Sequence, residues 1–171
     1  GDLLCVSGDL GAAYMGLTVL QREKQVFLNA PEASIELAGN DYIVGRQLKP
    51  EARKDIIEFF AAENIIPTSM IDISDGLGQD LGHILKASHV GAKVYLDAIP
   101  AADALQALPN IEKWQHQLNG GDDYQLCFTM SQANFAKFQQ IYPEQVFCIG
   151  EITAENSLHL FYNNTKVNVE I

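Results

Sequence analysis

The sequence predicts an α+β domain in which a mixed β-sheet is covered by helices. Three observations predict it. Short strand-like runs and amphipathic stretches mingle along the 171 residues without a strict strand–helix–strand alternation. The C-terminal part carries a hairpin signal, Asn163-Asn164-Thr165, between two apolar runs. Hydrophobic residues make up 47% of the chain, which suits a packed core and is too much for a disordered segment. No internal repeat or low-complexity linker divides the chain, so one domain is expected over 1–171.

The elements are read in order. Leu3 to Ser7 is a short apolar run closed by Gly8, and Gly11 to Arg22 has helical content without proline. Residues 29–42 carry Pro31, Gly39 and Asn40 and read as loop. Pro50 suits the first turn of a helix through about Asn64, because its missing N–H costs nothing there. Ile56, Ile57, Phe59 and Phe60 give that helix an apolar face. Ser69 to Ile73 is a strand that runs into Ser74-Asp75-Gly76, and Leu77, Leu81, Ile84 and Leu85 mark a helix from Leu77 to about Ala87. Gly91 to Ala98 alternates as a strand should, and Ala101 to Leu108 is a short helix ended by Pro109. Gly120-Gly121 introduces a strand from Tyr124 to Met130. Ser131 then caps a helix to about Ile141, with Phe135 and Phe138 facing inward. Val146 to Ile152 and Leu158 to Tyr162 are strands, and the turn at Asn163 leads into a last one over Lys166 to Ile171.

Composition limits the function. A net charge of −11 without clustered Lys or Arg argues against a nucleic-acid partner. No apolar run approaches the roughly 20 residues that cross a bilayer, and no signal-peptide pattern opens the chain, so no membrane partner is expected. Cys5, Cys127 and Cys148 are odd in number, far apart in sequence and set in apolar runs. They read as buried thiols in a reducing compartment, by default the cytoplasm. The chain opens and closes inside strand-like runs, which points to a piece of a longer protein.

Four stretches could carry chemistry. In Asp72-Ile73-Ser74-Asp75-Gly76-Leu77, two carboxylates and a hydroxyl lie where a strand gives way to a helix start. Hard cations take oxygen ligands, and phosphate oxygens are favoured near exposed helix N–H groups, so a metal–triphosphate site suits these residues. The same residues also suit an N-cap and a solvated strand end. An EF-hand does not fit, because Gly76 falls one position early counted from Asp72. In Asn119-Gly120-Gly121-Asp122-Asp123-Tyr124, glycines permit close backbone approach, and the adjacent carboxylates could take a cation or polar ligand or serve as turn residues. Ser7-Gly8-Asp9-Leu10-Gly11-Ala12-Ala13 could be a phosphate cradle or merely close packing; it lacks a P-loop lysine. Arg46 and Arg53 could grip phosphate or carboxylate, or lie idle at the surface. The four histidines show no ligand spacing, and Trp114 reads as packing.

Taken together, these segments resemble the thiamine-monophosphate kinase family of the aminoimidazole-ribonucleotide-synthetase-like superfamily. The matching pieces are Val6 to Gly11 with Gly16-Leu17, Arg46 with Pro50 and Arg53, Met70 to Leu77 with Asp80-Leu81, and Gly120 to Tyr124 with Leu126. The resemblance implies that 1–171 is a single C-terminal domain, with an N-terminal ATP-binding domain absent from this chain. It implies transfer of the ATP γ-phosphoryl group to thiamine monophosphate with Mg²⁺, giving thiamine diphosphate. On that likeness Asp72 and Asp75 are metal ligands, Ser74 contacts ATP, and Asp122 contacts the substrate where the family usually has Glu. It further implies an aromatic substrate contact beyond Ile171, a homodimeric complete enzyme with contacts mostly in the other half, and an inactive, monomeric fragment. The rival readings are another ATP-dependent enzyme of the superfamily, of the selenophosphate-synthetase or hydrogenase-maturation type, and a non-catalytic structural module.

Overall fold

The strand β1 (Leu3–Val6) is fully hydrogen-bonded on both sides, and its side chains are apolar on both faces. Such a run can only sit inside a sheet that is covered above and below. The computed structural model, which describes all 171 residues, builds that sheet from seven strands. The others are β2 (Ser69–Asp72), β3 (Gly91–Tyr95), β4 (Leu126–Met130), β5 (Phe147–Thr153), β6 (Leu158–Tyr162) and β7 (Thr165–Val167), in the order β2-β4-β1-β5-β3-β6-β7. All neighbours are antiparallel except the β3–β6 pair, so the sheet is mixed, as the sequence predicts.

Seven helices cover it: α1 (Ala12–Asn29), α2 (Asp41–Leu48), α3 (Lys54–Ala62), α4 (Leu77–Ser88), α5 (Asp103–Gln106), α6 (Asn110–Asn119) and α7 (Gln132–Ile141). Alternation along the strands divides the core. Leu4, Val6, Cys127 and Ile149 pack with Leu77, Leu81, Ile84 and Leu85 of α4 and with Trp114 and Leu118 of α6. Cys5, Phe128 and Met130 pack with Ile56, Phe59 and Phe60 of α3 and Phe138 of α7. A smaller cluster of Ala12, Val19, Ile43 and Leu105 fixes α2 against α1 and α5.

The structure differs from the sequence reading in places with physical causes. The helix expected from Pro50 to Asn64 is α3 alone; a separate α2 precedes it, and residues 49–53 are irregular. Pro50 therefore stops α2 instead of opening α3, since the residue before a proline is pushed out of the helical region. The α1 helix runs on to Asn29, because nothing breaks it before Pro31. Pro109 ends a short α5 and also stands at the N-cap of α6, a helix the sequence reading leaves out. The strand expected from Tyr124 begins at Leu126, because Asp122 and Tyr124 hold φ of 66° and 51°. The last strand ends at Val167. The Asn163-Asn164 turn has both residues at positive φ, as a tight hairpin requires, and Ser131 accepts the Asn134 N–H as the expected cap. Trp114 is buried edge-on to Tyr162, a packing role.

Register decides where the chemistry can be. Asp72 lies opposite Leu126, and Val6 lies opposite both Cys127 and Phe147. The ends of β1 and β2 and the starts of β4 and β5 thus share one end of the sheet. That end gathers Ser7 to Gly11, Ile73 to Gly76 and Gly120 to Gln125.

Candidate functional site

At the junction of β2 and α4 the backbone turns sharply, with Gly76 at φ 110° as the N-cap. No side chain caps α4, neither that of Ser74 nor that of Asp75. Asp80, buried in the first turn of α4, accepts the N–H groups of Ser74 at 2.9 Å and Asp75 at 3.0 Å through one carboxylate oxygen. The loop is therefore folded back on the helix by a carboxylate inside the protein, without help from the side chains of Ser74 or Asp75. The Asp75 carboxylate is exposed and accepts from Gln79 Nε2 at 2.9 Å; Asp72 is exposed at the end of β2, and Ser74 is half-buried. No three His, Cys, Asp or Glu side chains converge on a common point. Asp72 and Asp75 are exposed and Ser74 is half-buried, and they do not form a closed cage.

The second loop is stitched to the first by backbone. Ile73 donates to Gln125 O at 2.7 Å, Asp122 to Ser74 O at 2.9 Å, and Tyr124 to Ile73 O at 2.8 Å. The adjacent carboxylates of this loop part company. Asp122 is half-buried, and its Oδ2 accepts from Gln47 Nε2 of α2 at 3.2 Å. Asp123 is 1% exposed; it accepts the Gly11 N–H at 2.6 Å and the Ala13 N–H at 3.2 Å, and pairs with Arg46 at 3.3 Å. Burial raises its carboxyl to about 6, against the opposing pull of the Gly11 N–H, Arg46 and the Ala13 N–H. Asp123 thus holds the start of α1 from the loop that precedes the neighbouring strand β4.

That geometry revises two expectations. The stretch from Ser7 to Ala13 is no phosphate cradle, because Asp123 already occupies the N–H groups a phosphate would need. The two arginines are not idle at the surface, since protein groups engage both. Arg46 bridges Asp9 and Asp123 and donates to the Asp123 carbonyl. Arg53 donates to the Ser7 carbonyl, Gln125, Asp55 and Gln145. Both line an open cleft of about 740 Å³ with Asp9, Tyr42 and Lys49, at the same end of the sheet. Sequence reasoning gives no role to Gln47 and none to the Asp80 carboxylate. An acidic residue in a first helical turn was the available signal for Asp80; Gln47 had none, because its partner is 75 residues away.

Residues 1–163 match the family described as AIR synthase related protein, C-terminal domain. The chain belongs to that family. Curated relatives include the thiamine-monophosphate kinase of Buchnera aphidicola subsp. Schizaphis graminum, 40% identical over 98% of this chain and 50% of the relative. That of Escherichia coli K12 is 37% identical over 91% of this chain and 46% of the relative. Among solved structures, the thiamine-monophosphate kinase of Stenotrophomonas maltophilia superposes with a TM-score of 0.75 at 33% identity, over 94% of this chain and 50% of that one. The Aquifex aeolicus enzyme, solved in complex with AMPPCP and TMP, gives 0.70 at 26% identity, over 98% and 49%. An E. coli hydrogenase maturation protein shares the fold alone, at 17% identity and a TM-score of 0.62. The chain spans about half the length of the curated relatives it matches.

Within this AIR synthase related domain, the side chains of Asp72, Ser74 and Asp75 at the β2–α4 junction are oxygen donors, the ligand type that hard divalent cations take. No helix of the chain is long and apolar enough to cross a membrane.

Proposed function

We propose that this chain is the C-terminal domain of a kinase that transfers the γ-phosphoryl group of ATP to thiamine monophosphate, giving thiamine diphosphate. The observation that carries the reading is the division of labour at the β2–α4 junction: Asp80 holds the loop, so Asp72 and Asp75 need not. Asp72, exposed at the end of β2, and Asp75, exposed just before α4, are thereby left with side chains that the loop does not use to hold its own shape.

Asp72 and Asp75 would hold Mg²⁺, and Ser74 would donate to an ATP phosphate oxygen. Bound Mg²⁺ would supply neutralisation of charge on the triphosphate and on the developing transition state. Asp122, fixed at the edge of the second loop, would accept a hydrogen bond from the thiamine monophosphate. That phosphate nucleophile is already ionised at neutral pH, so direct in-line attack needs no strong general base. Positioning and charge stabilisation remain the tasks, and a rigid pair of backbone-stitched loops serves both. The remaining nucleotide contacts would come from a preceding ATP-binding domain, an aromatic substrate contact from beyond Ile171, and the complete enzyme would be a homodimer. Three free thiols fit a reducing, cytoplasmic setting.

The test is formation of thiamine diphosphate from ATP, Mg²⁺ and thiamine monophosphate. The complete protein should turn over, and residues 1–171 alone should not. Failure of the complete protein to phosphorylate thiamine monophosphate would overturn the substrate; turnover by the isolated chain would overturn the need for a second domain.

A further inference from the structure

Two consecutive side chains of α2 hold two consecutive carboxylates of the second loop. Arg46 binds Asp123, and Gln47 binds Asp122, across 77 and 75 residues of sequence. The Asp122 backbone is fixed from the opposite side, since its N–H donates to Ser74 O, and it sits at φ 66°. What remains free in Asp122 is the rotation of its own side chain, and the contact at 3.2 Å from Gln47 Nε2 to Oδ2 removes that freedom. The amide orientation follows from chemistry: only the nitrogen of Gln47 can donate to a carboxylate. Its oxygen is then buried without a partner in the protein.

We propose that Gln47 is a positioning residue, which orients the Asp122 carboxylate for the phosphate acceptor substrate. The inference rests on the assignment of Asp122 to thiamine monophosphate made above. Gln47 leaves one Asp122 oxygen engaged and presents the other. Because the α2 helix packs on α1 through the Ile43 cluster, Gln47 is carried by a rigid element and not by a loop. Without it, the Asp122 side chain samples several rotamers, and each binding event must select one. The loss falls on substrate binding equally in ground and transition states, so it appears in KM and not in kcat.

The experiment uses the complete enzyme with Gln47→Ala, Gln47→Met, Asp122→Ala and the Gln47→Met/Asp122→Ala double variant. Gln47→Met keeps the volume of the side chain and removes the donor, so the readout survives if the alanine variant folds poorly; melting curves check this. Expected is a KM for thiamine monophosphate raised roughly tenfold in Gln47→Met, with kcat and the KM for ATP nearly unchanged. The double variant should match Asp122→Ala alone, because Gln47 acts only through Asp122. Additive effects, or a normal KM in Gln47→Met beside a raised one in Asp122→Ala, would overturn the positioning role and leave the proposed function intact. A normal KM in Asp122→Ala would overturn the substrate assignment of Asp122 itself, and this inference with it.

Discussion

Gly121 lies so close to Ser74 that a methyl group on its α-carbon would come within 2.6 Å of the Ser74 carbonyl oxygen. That oxygen also accepts the N–H of Asp122 at 2.9 Å. The loop that carries Asp122 and Asp123 and the loop that carries Ser74 and Asp75 are therefore in backbone contact, with no side chain between them. Gly121→Ala must push them apart. We expect a loss of about 1–3 kcal/mol, the usual cost of forcing an extra carbon into a packed site, read as a lower midpoint in thermal or urea unfolding. A variant with unchanged stability would show that the contact is not tight.

Arg46 offers a second test. Its guanidinium is the only cation paired with Asp123, which is almost fully buried. Arg46→Ala leaves that carboxylate with two backbone N–H groups and no counter-charge. The expected loss is about 3 kcal/mol, at the low end for a broken buried pair because the N–H bonds remain. Urea unfolding of the variant measures it.

The pH dependence follows from Asp123. Its carboxyl is raised to about 6 in the folded chain, against about 3.9 when unfolded. Between those values the folded state holds the proton and the unfolded state does not. Its contribution to stability is thus fully present below about pH 4 and is lost as pH rises through about 6. Unfolding free energies of the native chain relative to Asp123→Asn should therefore decline across that window. A relative gain in stability over the same range would contradict the buried, proton-retaining carboxyl.

Much of this arrangement was legible in the sequence, and the rest was hidden for definite reasons. The strand–helix junction at Asp72 to Leu77 was visible because a period-two run meets a period-3.6 run there. The hairpin turn was visible because Asn tolerates positive φ. Which carboxylate does what was not visible. Asp122 and Asp123 are chemically alike, and only the packing of α1 and α2 shows that Asp123 is buried against the start of α1 while Asp122 is half-buried against Gln47. Asp75 and Asp80 pose the same problem, since only the fold shows that Asp80 is buried and holds the loop through the Ser74 and Asp75 N–H groups while Asp75 is exposed. The α2 helix was missed because it is short, half-exposed and followed by Pro50, which pointed the reading to the wrong side of the break.

The cysteines, far apart in sequence, include one adjacent pair in space: Cys5 of β1 lies opposite Cys148 of β5. The neighbouring Cys5 thiol holds the Cys148 thiol below its ordinary value, while the Cys5 thiol is pushed up by the same contact and by burial. Cys148, which is half-buried, should alkylate with iodoacetamide well below pH 8.5, ahead of Cys5 and Cys127. Mass spectrometry across a pH series reads the order. Cys5→Ser keeps a donor and should preserve the low onset, whereas Cys5→Ala should raise it.

The central proposal is that Asp72 and Asp75, beside a loop held by Asp80, hold a divalent cation against the ATP phosphates. The most direct measurement is the Mg²⁺ dependence of thiamine diphosphate formation by the complete enzyme with Asp72→Asn and with Asp75→Asn. Each change keeps the size of the side chain and removes the charge. We expect kcat to fall by at least about a hundredfold at fixed Mg²⁺, the scale seen when one preorganised electrostatic contact is removed, with partial recovery as Mg²⁺ is raised. Native kcat and a native Mg²⁺ requirement in both variants would contradict the account.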